Sequence, residues 1–131
     1  MLAISDSSTQ LTAAIYWLPH CSTCQKAKAY LEAKGVRFSL VRDIKADPLS
    51  EAEVKDLVAK IGGAEALFSK RAMKFRSLGL HEQTLTVEQL VGHMATEYTF
   101  IKRPVVVFEG TQAIFAGFSA KQYDAYLGSQ A

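Results

Sequence analysis

The chain has 131 residues, of which 49% are apolar, 10% aromatic and 21% charged. That balance suits a single globular domain able to bury a core without metal or disulfide staples, and two cysteines are too few for a disulfide scaffold. Fifteen Lys and Arg against thirteen Asp and Glu leave a formal charge of +2. This is too weak for the dominant basic face of a dedicated nucleic-acid binder.

Residues 1–12 (MLAISDSSTQLT) are polar and unpatterned, which reads as a mobile tail. They carry neither the positive charge nor the apolar core of a secretory signal. No apolar run approaches the roughly eighteen residues that span a bilayer. The expectation is a cytoplasmic protein without membrane contact, whose thiols are kept reduced. The remaining residues, 13–131, are expected to form one domain.

Ala13 to Leu18 reads as a short strand, apolar on both faces and so suited to the middle of a covered sheet. Pro19 and His20 end it. From Ser22 to Lys34, Cys24, Ala27, Tyr30 and Leu31 share the buried face of a helix, which Gly35 stops. Val36 to Ile44 alternates, with Val36, Phe38 and Leu40 on one face, and predicts a second strand. The crossover between the two strands is long enough for parallel pairing.

Asp47-Pro48 breaks the chain and opens a helical insertion of about residues 47–100. Ser50 and Glu53 have the spacing of a capping box, ahead of the stripe Val54, Leu57, Val58, Ile61. Gly62-Gly63 ends that helix, and Leu67 and Phe68 suggest another over about 64–71. Thr86 and Gln89 make a second capping box before Leu90, Val91 and Met94. After Arg103-Pro104, Val105 to Phe108 reads as a strand, Glu109-Gly110-Thr111 as a turn, and Ala113 to Ala116 as an antiparallel partner strand. Ser119 and Gln122 have the spacing of a third capping box, opening a helix that packs Tyr123, Tyr126 and Leu127. The order β-α-β, helical block, β-β-α predicts an α/β fold of thioredoxin-like layout with a helical insertion between its halves.

Cys21-Ser22-Thr23-Cys24 falls at the junction of the first strand and first helix. There Cys21 meets the free N–H groups of the first helical turn and the positive end of the helix dipole, which favour a thiolate. A free thiol with a pKa of about 8.5 is only a few per cent thiolate at neutral pH. Cys21 is therefore the expected nucleophile, and Cys24, almost one turn on, is placed to close a disulfide onto it. Two other readings compete. Half a zinc site would need two further ligands, and His20, His81 and His93 lie at none of the expected spacings. Alternatively both cysteines merely pack, since free cysteine is a small hydrophobe. Arg103 is able to hold an oxyanion through its fork of donors, although a solvated arginine is the commoner case. Trp17, His81 and His93 read as structural; Glu65, Lys70 and Lys26 read as solvated.

The segments Ile15-Tyr16 through Pro19-His20-Cys21, Cys24 to Lys28, Leu67 to Arg71, Leu78-Gly79-Leu80, Ile101 to Val107 and Gly117-Phe118-Ser119 occur in an order that resembles the arsenate reductase family. That family includes glutaredoxin-coupled arsenate reductases and the Spx regulators. The resemblance covers about residues 14 to 127. It implies Cys21 as nucleophile, Arg103 beside it, and a cis peptide at Pro104 lying against the cysteine motif. It also implies Arg71, Ser22, Thr23 and Pro104 as substrate contacts, no metal and no resident cofactor. The reductant is then glutathione, glutaredoxin or thioredoxin, and the substrate a small oxyanion or a mixed disulfide. In the Spx-like alternative the same pair is a redox sensor and the partner is RNA polymerase, without direct nucleic-acid contact.

Three departures bear on the substrate. Arsenate reductases of this type carry one attacking cysteine, and here Cys24 stands at a position that they fill with a non-thiol residue. Their arginine in the helical block aligns with Ser69, whereas Arg71 matches the Spx-like branch. A further arginine has no counterpart in 112–116. Each missing guanidinium removes a charge-assisted pair worth about 1.5–3 kcal/mol to a bound oxyanion.

Overall fold

A computed structural model describes residues 11–130. The first ten residues, which hold most of the expected tail, lie outside the described residues. The chain forms two compact units, one running to Arg42 and resuming at Arg103, the other Asp43–Lys102.

The first unit is built on a four-stranded sheet. Strand β1 (Thr12–Trp17) leads into helix α1 (Ser22–Ala33) and strand β2 (Arg37–Asp43). After the second unit come β3 (Val105–Phe108), β4 (Ile114–Ala116) and the last helix. The strand order is β2-β1-β3-β4. β1 and β3 occupy the centre because their residues tolerate burial on both faces: Ala13, Ala14 and Ile15 are buried, as is all of β3. They pair antiparallel, Ile15 opposite Val106, and β3 pairs antiparallel with β4, Val106 opposite Phe115. Along β1 and β2 the contacts step in the same direction. The Arg37 amide donates to the Leu11 carbonyl at 2.9 Å, and the Ser39 hydroxyl reaches the Ala13 carbonyl at 3.4 Å. That is the sense of a parallel pair, as the crossover helix requires.

β2 departs from expectation. Leu40 was expected to share a core face with Val36 and Phe38, yet it and Val41 are exposed. β2 is an edge strand, so its alternation extends beyond the part that the core covers. The core on one face of the sheet joins Ala13, Ile15, Val106 and Phe108 to Ala27 and Leu31 of α1 and to Tyr123.

In the second unit, α2 (Glu51–Ile61) packs on α3 (Ala64–Leu67), and both pack on α5 (Val87–Thr96); α4 (Met73–Ser77) lies between α3 and α5 in the chain. Both capping boxes expected in this unit form. Ser50 Oγ accepts from the Glu53 amide at 3.1 Å while Glu53 Oε1 accepts from the Ser50 amide at 2.9 Å, and Thr86 with Gln89 repeats the arrangement. Gly62, left-handed at φ 90°, ends α2. Replacing Ser50 with alanine is expected to cost about 1 kcal/mol, read as a lower urea midpoint with an unchanged slope.

The helix expected over 64–71 stops at Leu67. Phe68 turns extended and bridges Ile101 antiparallel, and the Ser69 amide donates to the Phe100 carbonyl at 2.6 Å. Stacking of Phe68 on Phe100, centroids 5.2 Å apart, favours this pairing over another helical turn. The final helix, α6 (Ala120–Ser129), belongs to the first unit and packs on α1. Of the capping box expected here only half forms: Ser119 Oγ accepts from the Gln122 amide at 3.2 Å, without the reciprocal bond to the Gln122 side chain. Among the described residues no helix is long and apolar enough to cross a membrane.

Candidate active site

The end of β1 delivers the chain into a tight turn, Leu18 to Cys21, closed by the Cys21 amide donating to the Leu18 carbonyl at 3.1 Å. Gln25 locks this turn from the helix side, its Nε2 donating to the Pro19 carbonyl at 2.7 Å. Gln25 was not singled out from sequence. Its position four residues after Cys21, one turn up the same helix, is the signal that would have found it.

Cys21 is the N-cap of α1, extended at φ −84° and ψ 121°, and the Gln25 amide closes the first helical turn onto its carbonyl at 2.9 Å. Its thiol is partly exposed. Burial pushes its pKa up, but the Cys24 amide, the Cys24 thiol, the Thr23 amide and the charge of Arg103 together pull it below the ordinary thiol value. The Cys21 side chain makes no capping hydrogen bond to the helix. Sulfur is large and diffuse, and the field of the helix end reaches it without a short contact.

Cys24 occupies the third helical position and is fully buried. Its thiol is pushed up to about 12, chiefly by burial and further by its bond to Cys21 and the charge there. The Leu18 amide and Arg103 pull the other way. The two sulfurs are therefore biased in opposite directions, Cys21 toward the thiolate and Cys24 toward the thiol. Both cysteines are free thiols.

Arg103 and Pro104 precede β3, the central neighbour of β1, and the peptide between them is cis, as the resemblance implied. Arg103 is half-buried with its Nε shut off from solvent, and its charge acts on both sulfurs. Ser22 and Thr23 form the first exposed turn of α1 beside Cys21. The structure thus gathers Cys21, Cys24 and Arg103, with Ser22 and Thr23 on the open side. Arg71 belongs to the second unit, in the exposed turn between α3 and α4. A further neighbour escaped the sequence reading. Burial, and beyond it the charge that Cys24 carries when ionised, pushes up the pKa of the fully buried Tyr123 phenol of α6.

Replacing Arg103 with glutamine removes a charge that stabilises both thiolates. The expected result is slower alkylation of Cys21 at neutral pH with an unchanged limiting rate at high pH, measured with iodoacetamide across pH.

A mixed sheet with an antiparallel central pair, a helix launched from the end of β1 at Cys-x-x-Cys, and a cis proline at the start of the neighbouring strand make up a thioredoxin-like fold. The ArsC family model matches residues 16–126. The chain is 28% identical over 114 residues to the global transcriptional regulator Spx 2 of Lactococcus lactis, covering 86% of this chain and 84% of that one. Among solved structures, an ArsC family related protein from Bacteroides fragilis superposes with a TM-score of 0.75 at 28% identity, covering 86% of this chain and 95% of the other. A possible arsenate reductase from Streptococcus mutans gives 0.70 at 26%, covering 88% and 99%. The chain belongs to the ArsC family.

Proposed function

We propose that the protein is a thiol-dependent reductase that uses Cys21 as nucleophile and Cys24 as resolving thiol. The observation that carries this reading is the placement of the two sulfurs, Cys21 partly exposed at the N-cap of α1 and Cys24 fully buried in the first turn behind it; the helix end and Arg103 favour a thiolate at Cys21 and burial disfavours one at Cys24. A partly exposed thiol biased toward its thiolate is placed to attack, while its buried neighbour holds its proton until a disulfide forms beside it.

With a mixed disulfide as substrate, Cys21 Sγ attacks one sulfur and the bond between the two substrate sulfurs breaks. The first thiolate leaves with the bonding pair. Cys24 then attacks Cys21 Sγ, its proton passing to the second departing thiolate. The substrate gains two electrons and the protein is left with a Cys21–Cys24 disulfide. Glutathione, glutaredoxin or thioredoxin returns two electrons to reopen it. Arg103 stabilises the negative charge passing between the sulfurs, and Ser22, Thr23 and the backbone at Pro104 contact the substrate. An oxyanion such as arsenate is the alternative substrate. The absence of an arginine in 112–116 favours the disulfide.

Turnover of a glutathionylated peptide, with glutathione and glutaredoxin or with thioredoxin as reductant, tests this reading beside a parallel assay on arsenate. Turnover of the peptide that is lost in Cys21→Ser supports it; no turnover of either substrate with any reductant overturns it.

A second reading is favoured by the likeness to the Lactococcus regulator and by Arg71: the same pair is a redox sensor and RNA polymerase is the partner. Its mark is polymerase binding that differs between the dithiol and disulfide forms. Equal binding by both forms, or none, rejects it.

A further inference from the structure

Helix α4 is anchored on one side chain. Phe75 turns inward, edge-on to Phe68 at 6.0 Å and tilted against His81 at 6.4 Å. Lys74 adds an ion pair to Glu97 at 2.5 Å, which with Thr99 holds the Glu97 carboxyl below the usual range. With Phe75 inward, helical geometry turns Met73 and Arg76, three residues apart, to the opposite face. Met73 is 88% exposed, the most of any large apolar side chain described, and Leu78 just past the helix end is 55% exposed.

The charge here has one sign. Between Ser69 and Gly79 the chain has four cations and no carboxylate. Lys70 and Lys74 are engaged by Glu65, at 3.5 Å, and by Glu97. Arg76 makes no ion pair among the described residues. A lone exposed apolar residue is ordinary. Here a methionine stands on a pinned helix beside an unengaged arginine. Those two side-chain types are enriched in the buried centres of interfaces, and the anchored helix reduces the ordering cost of binding.

We infer that this face of α4 is a docking surface for an acidic segment of another protein that carries an apolar side chain. Met73 receives the apolar group, and Arg76 pairs bidentately with a neighbouring carboxylate. The charge argues for this partner over others. Nucleic acid offers nothing to an exposed methionine, and both local lysines are already engaged. A five-residue helix has too little apolar area to lie in a membrane surface. A second copy meeting this face through a two-fold axis would set cation against cation. The inference is independent of the thiol chemistry, and Cys21 reactivity serves as the control for intact folding.

The test titrates the isotopically labelled full chain with a short peptide of alternating leucine and glutamate, following backbone amides. Parallel arms use the same peptide with glutamine for glutamate, a duplex DNA oligonucleotide, phosphatidylserine vesicles, and sedimentation of the protein alone. The expected result is saturable shifts confined to residues 71–79 with the acidic peptide, weakened by salt. Met73→Ser and Arg76→Gln are each expected to raise Kd about tenfold, with Cys21 alkylation unchanged. No binding of the acidic peptide, equal binding of the neutral one, tighter binding of DNA or vesicles, self-association through this face, or unchanged affinity in both variants overturns the inference.

Discussion

Replacing Cys21 with serine is expected to lower disulfide-reducing turnover on the order of 10⁴-fold, because it removes the nucleophile and with it the covalent route. Replacing Cys24 with serine is expected to leave the first attack intact and stall the second, so that a Cys21 mixed disulfide accumulates and is visible by intact mass. The difference follows from the two environments. Cys21 sits in the field of the helix end and of Arg103, partly open to solvent, whereas Cys24 is fully buried. The pH dependence has a definite sign. Alkylation follows the thiolate fraction, so a lowered Cys21 pKa brings the wild-type rate to its plateau at a lower pH than that of a free cysteine. In Cys21→Ser that early phase disappears. Cys24 then loses the proton-holding contact with its neighbour and titrates below about 12, but burial, its largest perturbation, remains. Its reaction stays slow throughout the neutral range. In Cys24→Ser the hydroxyl still donates toward the Cys21 sulfur, and the early phase persists. Equal alkylation profiles for Cys21 and for an unfolded-state thiol would contradict the scheme.

The residues that were legible in the sequence are those whose local signal agrees with their tertiary setting. Cys21 could be placed because Pro19-His20 ends an apolar strand and Cys24, Ala27 and Leu31 begin a helical stripe; all three of the latter are buried. The boxes at Ser50–Glu53 and Thr86–Gln89 are satisfied within four residues and need no outside partner. α4 carried no such signal. It buries none of its residues fully, and its N-cap is Ala72, which offers no side-chain bond. Of its two apolar residues, Met73 and Phe75, only Phe75 turns inward. The early end of α3 was hidden for the opposite reason, since it depends on Ile101, far away in sequence, offering Phe68 a strand partner. At the site, no periodicity could report that the charge of Arg103 reaches both sulfurs or that Tyr123 lies within electrostatic range of Cys24. Those relations come from β3 pairing with β1 and α6 packing on α1.

Truncating Tyr123 to alanine is expected to destabilise the fold by about 3–5 kcal/mol, the range for removing a large buried ring. The ring has no solvent exposure and packs with Phe115 at 5.6 Å, Phe118 at 5.5 Å and Tyr30 at 6.3 Å, so its loss opens a cavity where α6, α1 and the sheet meet. Tyr123→Phe isolates the hydroxyl. That group donates to the Gly117 carbonyl at 3.3 Å, a long bond whose loss costs about 0.5–1.5 kcal/mol. Urea unfolding separates the two: a large midpoint drop for alanine and a small one for phenylalanine, both with the wild-type slope. A drop of the same size in both variants would mean that the hydroxyl, and not the ring, holds the helix. The thiols provide a second readout. The phenylalanine variant keeps the packing around Cys24, so the pH dependence of Cys21 alkylation should stay in place, whereas the alanine variant lets water toward a buried sulfur. Burial is the largest influence on Cys24, and relieving it lowers that pKa toward the ordinary thiol range. The two cysteines then lose the asymmetry on which sequential attack depends, and Cys24 should alkylate measurably in mild alkali in Tyr123→Ala while remaining protected in Tyr123→Phe.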